Sequence, residues 1–577
     1  MYEESFESRD DLAKYGDNSL LLYALQLRFG IEDIDSVASD ALTDGANDKK
    51  ADLVYVNSDE GYAVIAQGYM CRDTAKKKAA PANKASDLNT AVTWLLSQDE
   101  KNLPEEIKSA ALQLRKAILD NEIEKIELWY VHNLNESKNC TEEIKAAQNS
   151  TDAIIKRCFP ESRITIQSFE VGNKTLDEWY QTIKTPILVD DNFSFDVTGG
   201  YLMTTPKWEC FSTPFSCEIL YNLFKKYEKK LFSANIRDYL GNKRSDSNIN
   251  YGIKKTLDSE PDNFWIYNNG ITVITNNFNY DKDNETLIVK GFSIVNGAQT
   301  TGSIGSKKPK KGSFLPARFV KCNSPDVIAN IVRFNNSQNK ITAADFRSND
   351  RIQIRLREEF KSIQNTEYTG GRRGGSADAI KRNPYLLPSD SVAQTLAAFH
   401  DAPSISYNKK SEIWNSDKLY SSFFTDKTTA VHICFVYSLF LMIKDTKNEL
   451  IEKQRKGIQL MGLEADRLSF LRLRGATYLF MTSISDCMEI LISKPISDKF
   501  AIHFKNKLSP NILKNKWKPI VDSLLAFSNQ LAKPTESSLK NENEINNSIQ
   551  SFTSLVQATK SANKKIYDDF ANEIVLD

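Results

Sequence analysis

The chain has 577 residues, 41% of them hydrophobic and 26% charged, with a formal net charge of zero. This composition is that of an ordinary globular protein, so most of the chain is expected to fold. At about 150 residues per domain, the chain is too long for a single hydrophobic core. The start, "MYEESFESRDDLAKYG", has no basic and no apolar region, which argues against a secretory signal.

The charge is unevenly spread along the chain. Residues 1–60 carry 15 acidic against 5 basic side chains, whereas residues 307–383 carry 17 basic against 7 acidic ones. A basic segment in a neutral chain is typical of a surface that binds phosphates. A solvated face, or docking of the segment on the acidic N-terminal region, would also explain it.

The longest apolar run argues against a membrane span. "AVHICFVYSLFLMI", residues 430–443, has 14 residues, fewer than the roughly 20 that a bilayer requires. It therefore predicts a buried core helix. The eight cysteines include no C-x-x-C pair, and none of the four histidines has metal-ligand spacing with another, so a reducing cytoplasm is the simplest setting.

The first 185 residues alternate between helix and strand. Apolar periodicity predicts helices in 18–44, 83–97, 103–119 and 141–159, and β-branched and aromatic runs predict strands at 51–57, 62–70, 123–133 and 163–172. This order predicts a mixed sheet with helices on both faces.

Two polar residues stand at the ends of the first strand pair. Asp52 opens "DLVYVN" and Gln67 lies near the end of "YAVIAQGYM". Because neighbouring strands lie about 4.8 Å apart, the two side chains can meet at one Mg²⁺ ion if they share a face. Asp48 and Asp44, in the preceding loop, are further candidate ligands. They are equally well explained as turn residues that satisfy their own backbone.

"TDGANDKKADLVYV" together with "YAVIAQGYM" resembles the PD-(D/E)xK nuclease superfamily, in particular restriction-type members with Gln at the second position. The resemblance implies that Asp52 binds the metal, that Gln67 is the second active-site residue, and that Tyr69 occupies the place of the catalytic lysine. A tyrosine cannot supply a cation. This departure leaves open whether the domain is a catalyst or a nuclease fold without catalytic activity.

Members of this superfamily can supply the lysine from the helix after the second strand. Here that helix begins near "APANKASDLN", so Lys84 lies in its first turn and Lys76, Lys77 and Lys78 lie in the loop before it. A helix N-terminus also favours phosphate. We therefore expect Lys84 to replace the missing lysine, the alternative being a solvated surface side chain.

Two segments in the middle of the chain have more distinctive sequences than the N-terminal strand pair. "FWIYNNGITVITNNF" (264–278) predicts two strands joined by an Asn-Asn-Gly turn. "LIVKGFSIVNGAQTTGSI" (287–304) predicts a strand that leads through a polar loop into a helix, an arrangement suited to a phosphate or another anion.

These strings, with "LFSANIRDYLG" (231–241) and "IANIVRFNNSQNKITAADFRSND" (328–350), resemble the abortive-infection phage-resistance (AIPR) family over about 200–385. The four motifs occur in the family's order. The resemblance implies bacterial anti-phage defence, with a nuclease-like N-terminal region as a usual companion.

A weaker resemblance is to the ParB and sulfiredoxin superfamily. "IVNGAQTTGSI", "LPARFVKC" and "VIANIVRFNNSQN" follow its order, but Asn296, Gln299 and Thr300 stand where such proteins often have Asp, His and Arg. The resemblance therefore implies a binding cleft without hydrolysis. By position the cleft is expected to be lined by Asn269, Asn296, Gln299, Thr300, Arg333, Asn335, Asn336 and Gln338.

The remainder of the chain, from residue 350, is predicted to be mainly helical. Before its first long apolar helices lies "YTGGRRGGSADAIKRNP" (368–384), in which Arg372 and Arg373 are flanked by glycines. Such a segment can bring backbone and guanidinium groups against phosphates. A flexible linker is the alternative.

The predicted fold has three parts: an α/β restriction-endonuclease-like domain (1–185), an α+β AIPR core with a ParB/sulfiredoxin-like unit (186–349), and a mainly α domain (350–577). The expected function is anti-phage defence by a Mg²⁺-dependent nuclease that acts once its core binds nucleic acid, DNA rather than RNA, or a nucleotide signal. The alternative is a non-catalytic nucleic-acid-binding sensor. A homodimer or a partner defence protein is expected by analogy of fold only.

Overall fold

The computed structural model describes residues 2–577 except 44, 46, 75–78, 185–186, 188, 236–252, 254, 307, 323, 325–326, 328–330, 332–346, 348–349 and 371–384. The described chain is mixed α/β, 56% helical and 18% strand. Three units follow one another along it.

The N-terminal unit, residues 2–184, is a four-stranded sheet between two layers of helices. Its strands are β1 (Leu53–Asn57), β2 (Tyr62–Tyr69), β3 (Lys125–His132) and β4 (Thr165–Val171). Its helices are α1 (Tyr2–Glu7), α2 (Asp10–Ala13), α3 (Ser19–Phe29), α4 (Ile34–Ala41), α5 (Ala82–Ser97), α6 (Glu105–Leu119), α7 (Lys138–Cys158) and α8 (Asn173–Lys184), with 3₁₀ turns at Gly16–Asn18 and Glu100–Asn102.

The strands of this unit lie in the order β1-β2-β3-β4. β1 and β2 form an antiparallel hairpin, and β3 and β4 continue the sheet parallel to β2. Side chains alternate between two cores: Val54 and Ile65 pack in the core shared with α5, α6 and α7, and Leu53 and Val64 in the core shared with α3 and α8. The predicted mixed sheet with helices on both faces is confirmed.

The central unit is built on a seven-stranded sheet in the order β5-β10-β8-β11-β7-β6, with β9 paired to β10. Its strands are β5 (Val189–Asp196), β6 (Tyr201–Thr204), β7 (Trp208–Ser216), β8 (Ile271–Thr275), β9 (Asn277–Asp281), β10 (Thr286–Asn296) and β11 (Phe314–Cys322). Its helices are α9 (Cys217–Tyr227), α10 (Phe264–Tyr267) and α11 (Ala298–Ser306), with 3₁₀ turns at Glu228–Asn235 and Pro261–Asn263.

The prediction for 264–278 was partly wrong. "FWIY" is the short helix α10, not a strand, and β8 begins only after the Asn-Asn-Gly turn. The four apolar residues look like a strand in sequence, but Pro261 starts a 3₁₀ turn that runs directly into the helix, and of the four only Phe264 is buried. The predicted strand and helix at 287–304 are confirmed as β10 and α11, but the polar loop is shorter than predicted, because Gly297 alone separates them and residues 298–302 belong to the helix.

The C-terminal unit, from residue 350, is mainly helical as predicted. Its helices are α12 (Arg351–Phe360), α13 (Ser389–Phe399), α14 (Pro403–Asn408), α15 (Lys410–Asn415), α16 (Asp417–Phe423), α17 (Ala430–Arg455), α18 (Leu463–Arg472), α19 (Ala476–Asp486), α20 (Met488–Ile492), α21 (Pro510–Leu524), α22 (Ala532–Glu536), α23 (Glu542–Ala558) and α24 (Lys564–Ala571), with 3₁₀ turns at Lys499–Ala501 and Leu525–Leu531. Two short strand pairs join β12 (Glu367–Tyr368) to β13 (Leu386–Leu387) and β14 (Ile502–Phe504) to β15 (Ile574–Leu576).

The apolar run at 430–443 forms the first half of α17. Its side chains, among them Ile433, Phe435 and Leu439, are buried in the core of the C-terminal unit. Within the described ranges, the search for a helix with the length and apolarity of a membrane span found none. The run is thus the core helix that its length predicts.

The N-terminal and C-terminal units meet at a polar, largely buried seam. The Lys444 ammonium lies 3.0 Å from the Asp35 carboxylate, and Lys447 donates to the carbonyl of Ser39 at 2.6 Å. Arg474 donates to the carbonyl of Val54 at 2.7 Å. These basic residues lie outside 307–383, so part of the N-terminal acidic region docks on C-terminal helices.

Two buried histidines form a hydrogen-bonded pair inside the C-terminal unit. His432 Nδ1 lies 2.8 Å from the carbonyl oxygen of Ile502, and its Nε2 lies 3.0 Å from Nε2 of His400. Because a carbonyl only accepts, Nδ1 of His432 holds the proton and its Nε2 accepts from His400. This hydrogen-bond pattern therefore requires both imidazoles to be uncharged.

We expect the free energy of unfolding to fall as the pH drops from about 6.5 towards about 4. An unfolded imidazole titrates near 6.5, whereas burial lowers the pKa of His432 to about 4 and that of His400 well below its ordinary value. As the pH falls, protons therefore bind to the unfolded chain before they bind to the folded one. Through His432 alone this lowers the free energy of unfolding by about 2 kcal/mol at about pH 5. Urea unfolding across this range measures the loss.

The variant His432→Gln should lose less stability on acidification than the wild type. His503→Gln, which alters an imidazole outside the pair, should keep most of the dependence, because burial is the first cause of the lowered pKa of His432 and the charge of His503 a lesser one. An equal pH dependence in all three proteins would contradict this assignment.

Candidate active site and central loops

The candidate active site lies at the end of the N-terminal sheet where β1 begins and β2 ends. The register pairs Leu53 with Ala66, so Asp52, just before β1, stands opposite Gln67 in β2. The backbone N–H of Asp52 donates to the carbonyl of Ala66 at 3.0 Å, which extends the ladder to this point. Both side chains therefore project from the same face, on the side of α5 and α7.

The two side chains are in direct contact. The Gln67 amide Nε2 donates to Asp52 Oδ2 at 2.6 Å, and the backbone N–H of Gly68 donates to the same oxygen at 2.7 Å. Gln67 is 5% exposed, and among the described residues its Oε1 has no hydrogen-bond partner. A buried amide oxygen without a donor is costly, so this atom is available to a ligand beside the half-buried Asp52 carboxylate.

The oxygens of Asp52 and Gln67 have the chemistry of a hard-cation site. Mg²⁺ prefers oxygen ligands, uses one or two carboxylates and keeps several waters. In the part of the chain that the structure describes, no three His, Cys, Asp or Glu side chains gather as a metal site. A cation at this edge would therefore rely on Asp52, the Gln67 amide, water and substrate.

The other residues predicted for this site differ in their surroundings. Tyr69 is half-buried two residues beyond Gln67 on the same face, opposite His132 of β3. Asp48 accepts the backbone N–H of Lys50 at 2.9 Å, as a turn residue does. Asp44 and Lys76–Lys78 lie outside the described residues.

Lys84 lies in the first turn of α5, as expected, and is 39% exposed. Its Nζ is 3.5 Å from the carboxylate of Asp87 in the same helix. The pKa of Tyr130 is raised above its ordinary value, first by burial and to a lesser extent by neighbouring negative charges, among them that of Asp87. Tyr130 is the residue of β3 opposite Gln67.

Sequence reasoning missed a second polar group on this face. His132 Nε2 lies 3.2 Å from Glu170 Oε1, and the backbone N–H of Leu134 donates to His132 Nδ1 at 3.3 Å. Glu170 also accepts the backbone N–H of Ser137 at 2.9 Å. The proton of His132 is therefore on Nε2 and points at the carboxylate. The one available signal was that β3 and β4 both end in polar residues at the same edge.

In the central unit the two motif loops meet. The Asn-Asn-Gly turn and the Asn-Gly-Ala-Gln loop approach so closely that a Cβ on Gly297 would lie 2.7 Å from the carbonyl oxygen of Gly270. Thr300, which is buried, exchanges hydrogen bonds with Asn268 across the contact, at 3.3 and 3.4 Å. Asn269 and Gln299 are exposed beside it.

Asn296 is the last residue of β10 and is partly exposed. It pairs with Thr272 of β8, which in turn pairs with Arg318 of β11. Arg318 donates to the Thr272 hydroxyl at 2.8 Å and is exposed. Of the predicted cleft, Asn269, Asn296, Gln299 and Thr300 are therefore brought to one end of this sheet. The remaining predicted residues lie outside the described chain: Arg333, Asn335, Asn336, Gln338, Arg372 and Arg373.

Comparison with known proteins gives one match. The family model described as "AIPR protein" matches residues 232–564, more than half of the chain. No curated protein and no solved structure matches significantly.

The contact between the Asn-Asn-Gly turn and β11 predicts a large difference between two glycine substitutions. Gly270 and Gly312 both have positive φ, 78° and 92°, but a Cβ on Gly270 would lie 2.0 Å from the Pro316 carbonyl oxygen, whereas one on Gly312 would meet open space. Gly312→Ala should cost about 1–2 kcal/mol in backbone strain. Gly270→Ala should cost at least about 3 kcal/mol because overpacking adds to the strain.

Chemical denaturation of the two variants measures the difference. An equal loss of stability in both would show that Gly270 does not press against β11 as described.

Proposed function

The chain belongs to the AIPR (abortive infection phage resistance) family, and from this premise we propose that it defends bacteria against phage as a Mg²⁺-dependent nuclease. The family supplies the defence role. The nuclease activity is assigned to Asp52 and Gln67. The observation that carries it is the buried Gln67 Oε1, which lies beside a carboxylate and has no hydrogen-bond partner among the residues that the structure describes.

The order and direction of the strands support this proposal. An antiparallel β1–β2 hairpin followed by parallel strands places Asp52, Gln67 and the first turn of α5 at one sheet edge. That is the arrangement implied by the resemblance to the PD-(D/E)xK superfamily. Asp52 and Gln67 would hold the cation, and Asp48 is the less favoured ligand because it accepts a hydrogen bond in its own turn.

A Mg²⁺ ion bound there would activate water and stabilise charge on the scissile phosphate. The protein's own residues have separate tasks. Asp52 is oriented by Gln67 and the Gly68 N–H, while Lys84 would turn from Asp87 to the incoming phosphate, the stronger anion. Tyr130, buried and bonded to the Pro81 carbonyl at 3.1 Å, holds the start of α5 against the sheet.

The proposed substrate is nucleic acid, DNA in preference to RNA, held by the central unit through Asn269, Asn296, Gln299 and Thr300. A nucleotide signal at the same loops is the alternative ligand. All eight cysteines are free thiols, which suits a reducing compartment such as the bacterial cytoplasm, where phage nucleic acid enters. A second copy, or another defence protein, would supply a second site for a second strand.

A non-catalytic nucleic-acid sensor is the second candidate. It is favoured by Tyr69 in the place of the catalytic lysine and by the pairing of Lys84 with Asp87. In that case the N-terminal unit is a docking platform.

The two candidates are separated by incubating the purified full chain with plasmid DNA and with total RNA, in Mg²⁺ or in EDTA. The nuclease proposal expects metal-dependent degradation that falls at least about 100-fold in Asp52→Asn, because the metal site loses its charge. Glu142→Gln, which changes an exposed carboxylate on α7, should cleave at the wild-type rate. Cleavage that persists in Asp52→Asn, or binding of either nucleic acid without cleavage, would overturn the proposal.

The role of Lys84 is tested separately. Lys84→Met should lose cleavage while still binding Mn²⁺ as tightly as the wild type in calorimetry, because the lysine meets the phosphate and not the metal. Full activity in Lys84→Met would exclude it as the cation.

A further inference from the structure

The surface of the central unit carries an unusual aromatic patch, which we define as Trp265, Ile266, Tyr267 and Phe314. Their exposed fractions are 38%, 71%, 61% and 36%. Three of them follow one another on α10, so this short helix turns nearly all of its apolar side chains to solvent while Phe264 anchors it in the core. Apolar side chains clustered in this way usually mark a binding surface.

The patch lies beside the two motif loops. β8 and β11 are parallel, with Ile271 opposite Ala317, so the turn that links α10 to β8 runs alongside the start of β11. The contact between Gly270 and Pro316 fixes that position, and α10 packs against β11. Tyr267 is therefore two residues from the exposed Asn269.

The charge around the patch is positive on one side. Residues 308–321 contain five basic and no acidic side chains. Lys308 and Lys321 pair with Glu218 and Glu209. Lys310 and Lys311, both exposed just before Phe314, have no ion pair with any residue that the structure describes.

On the other side of the patch are acidic groups. Glu260 Oε2 lies 3.4 Å from the Tyr267 hydroxyl, and Asn263 Nδ2 lies 3.5 Å from the same oxygen. Asp258 and Asp262 lie two residues before and two residues after Glu260 in the chain. These polar groups hold the Tyr267 ring by its hydroxyl and leave the ring exposed.

We propose that the patch binds single-stranded nucleic acid, with bases stacked on Tyr267 and Trp265 and phosphates on Lys310 and Lys311. Exposed aromatic rings and exposed lysines are the two elements that such binding needs. A duplex hides the faces of its bases, so the patch should prefer single strands. The neighbouring amide of Asn269 can hydrogen-bond the edge of a stacked base. This inference rests on the proposed binding of nucleic acid by the central unit.

The test is fluorescence anisotropy with labelled 20-residue oligonucleotides, single-stranded DNA, single-stranded RNA and duplex DNA, in EDTA. All proteins carry Asp52→Asn, so binding is measured without cleavage, and failure of the nuclease proposal does not affect the result. Tyr267→Ala should weaken single-strand binding between about 5-fold and about 150-fold. Tyr201→Ala, which removes an equally exposed ring (69%) at the distant edge strand β6, should not.

The lysines have a different expected effect. Replacing Lys310 and Lys311 with alanine should reduce the slope of log affinity against log salt by about 1.4, because each phosphate contact contributes about 0.7 with a single strand. Tyr267→Ala should leave the slope unchanged. Circular dichroism and thermal unfolding verify that each variant is folded.

Three results would overturn the proposal. They are no oligonucleotide binding by the parent protein, equal binding by the Tyr267→Ala and Tyr201→Ala proteins, and tighter binding of duplex than of single strands. With either of the first two, the patch would be a surface for a protein partner.

Discussion

Arg474 joins the C-terminal helices to β1, the strand that directly follows Asp52, and the position of the candidate active site depends on this contact. Its backbone N–H donates to Ser109 Oγ at 3.0 Å, and its guanidinium donates to the Val54 carbonyl at 2.7 Å and to the Gln113 amide oxygen. β1 is an edge strand. Arg474 thus satisfies an edge carbonyl two residues from Asp52 and covers an edge that would otherwise invite pairing with another chain.

The ammonium groups around Arg474 strengthen the same seam. Lys444 and Lys447 are 6% and 4% exposed and are compensated by Asp35, Asp40 and the Ser39 carbonyl. Removing one partner of a buried pair typically costs about 3–5 kcal/mol, since the other charge is left without compensation. Buried charge pairs therefore tie the N-terminal unit to the C-terminal helices. The cleavage site that we propose beside β1 is held in place by these contacts.

Much of the candidate site could be predicted because it is local in sequence. Asp52 and Gln67 are 15 residues apart across one hairpin, and strand periodicity alone places them on one face. The loop after β10 and the helix α11 were likewise predictable from a strand followed by small polar residues.

What could not be predicted depends on contacts between distant parts of the chain. Lys444 and Asp35 are 409 residues apart, and no local pattern distinguishes a lysine that will be buried from one that stays solvated. The pairing of His132 with Glu170 and of Arg318 with Thr272 depends on the register of parallel strands, in which the paired side chains are 38 and 46 residues apart in the chain. The helix at "FWIY" was mistaken for a strand because four residues carry too little periodicity to separate the two.

The central claim is that Asp52 and Gln67 hold a divalent cation. Anomalous diffraction from crystals of the full chain soaked in Mn²⁺ tests it most directly. The account predicts one ion at direct ligation distance, about 2.1 Å, from an Asp52 carboxylate oxygen and from Gln67 Oε1, lost in crystals of Asp52→Asn. The absence of an ion at this position in the wild type would contradict it. So would an ion bound elsewhere while the Gln67 amide still donates to Asp52 and no atom contacts Gln67 Oε1.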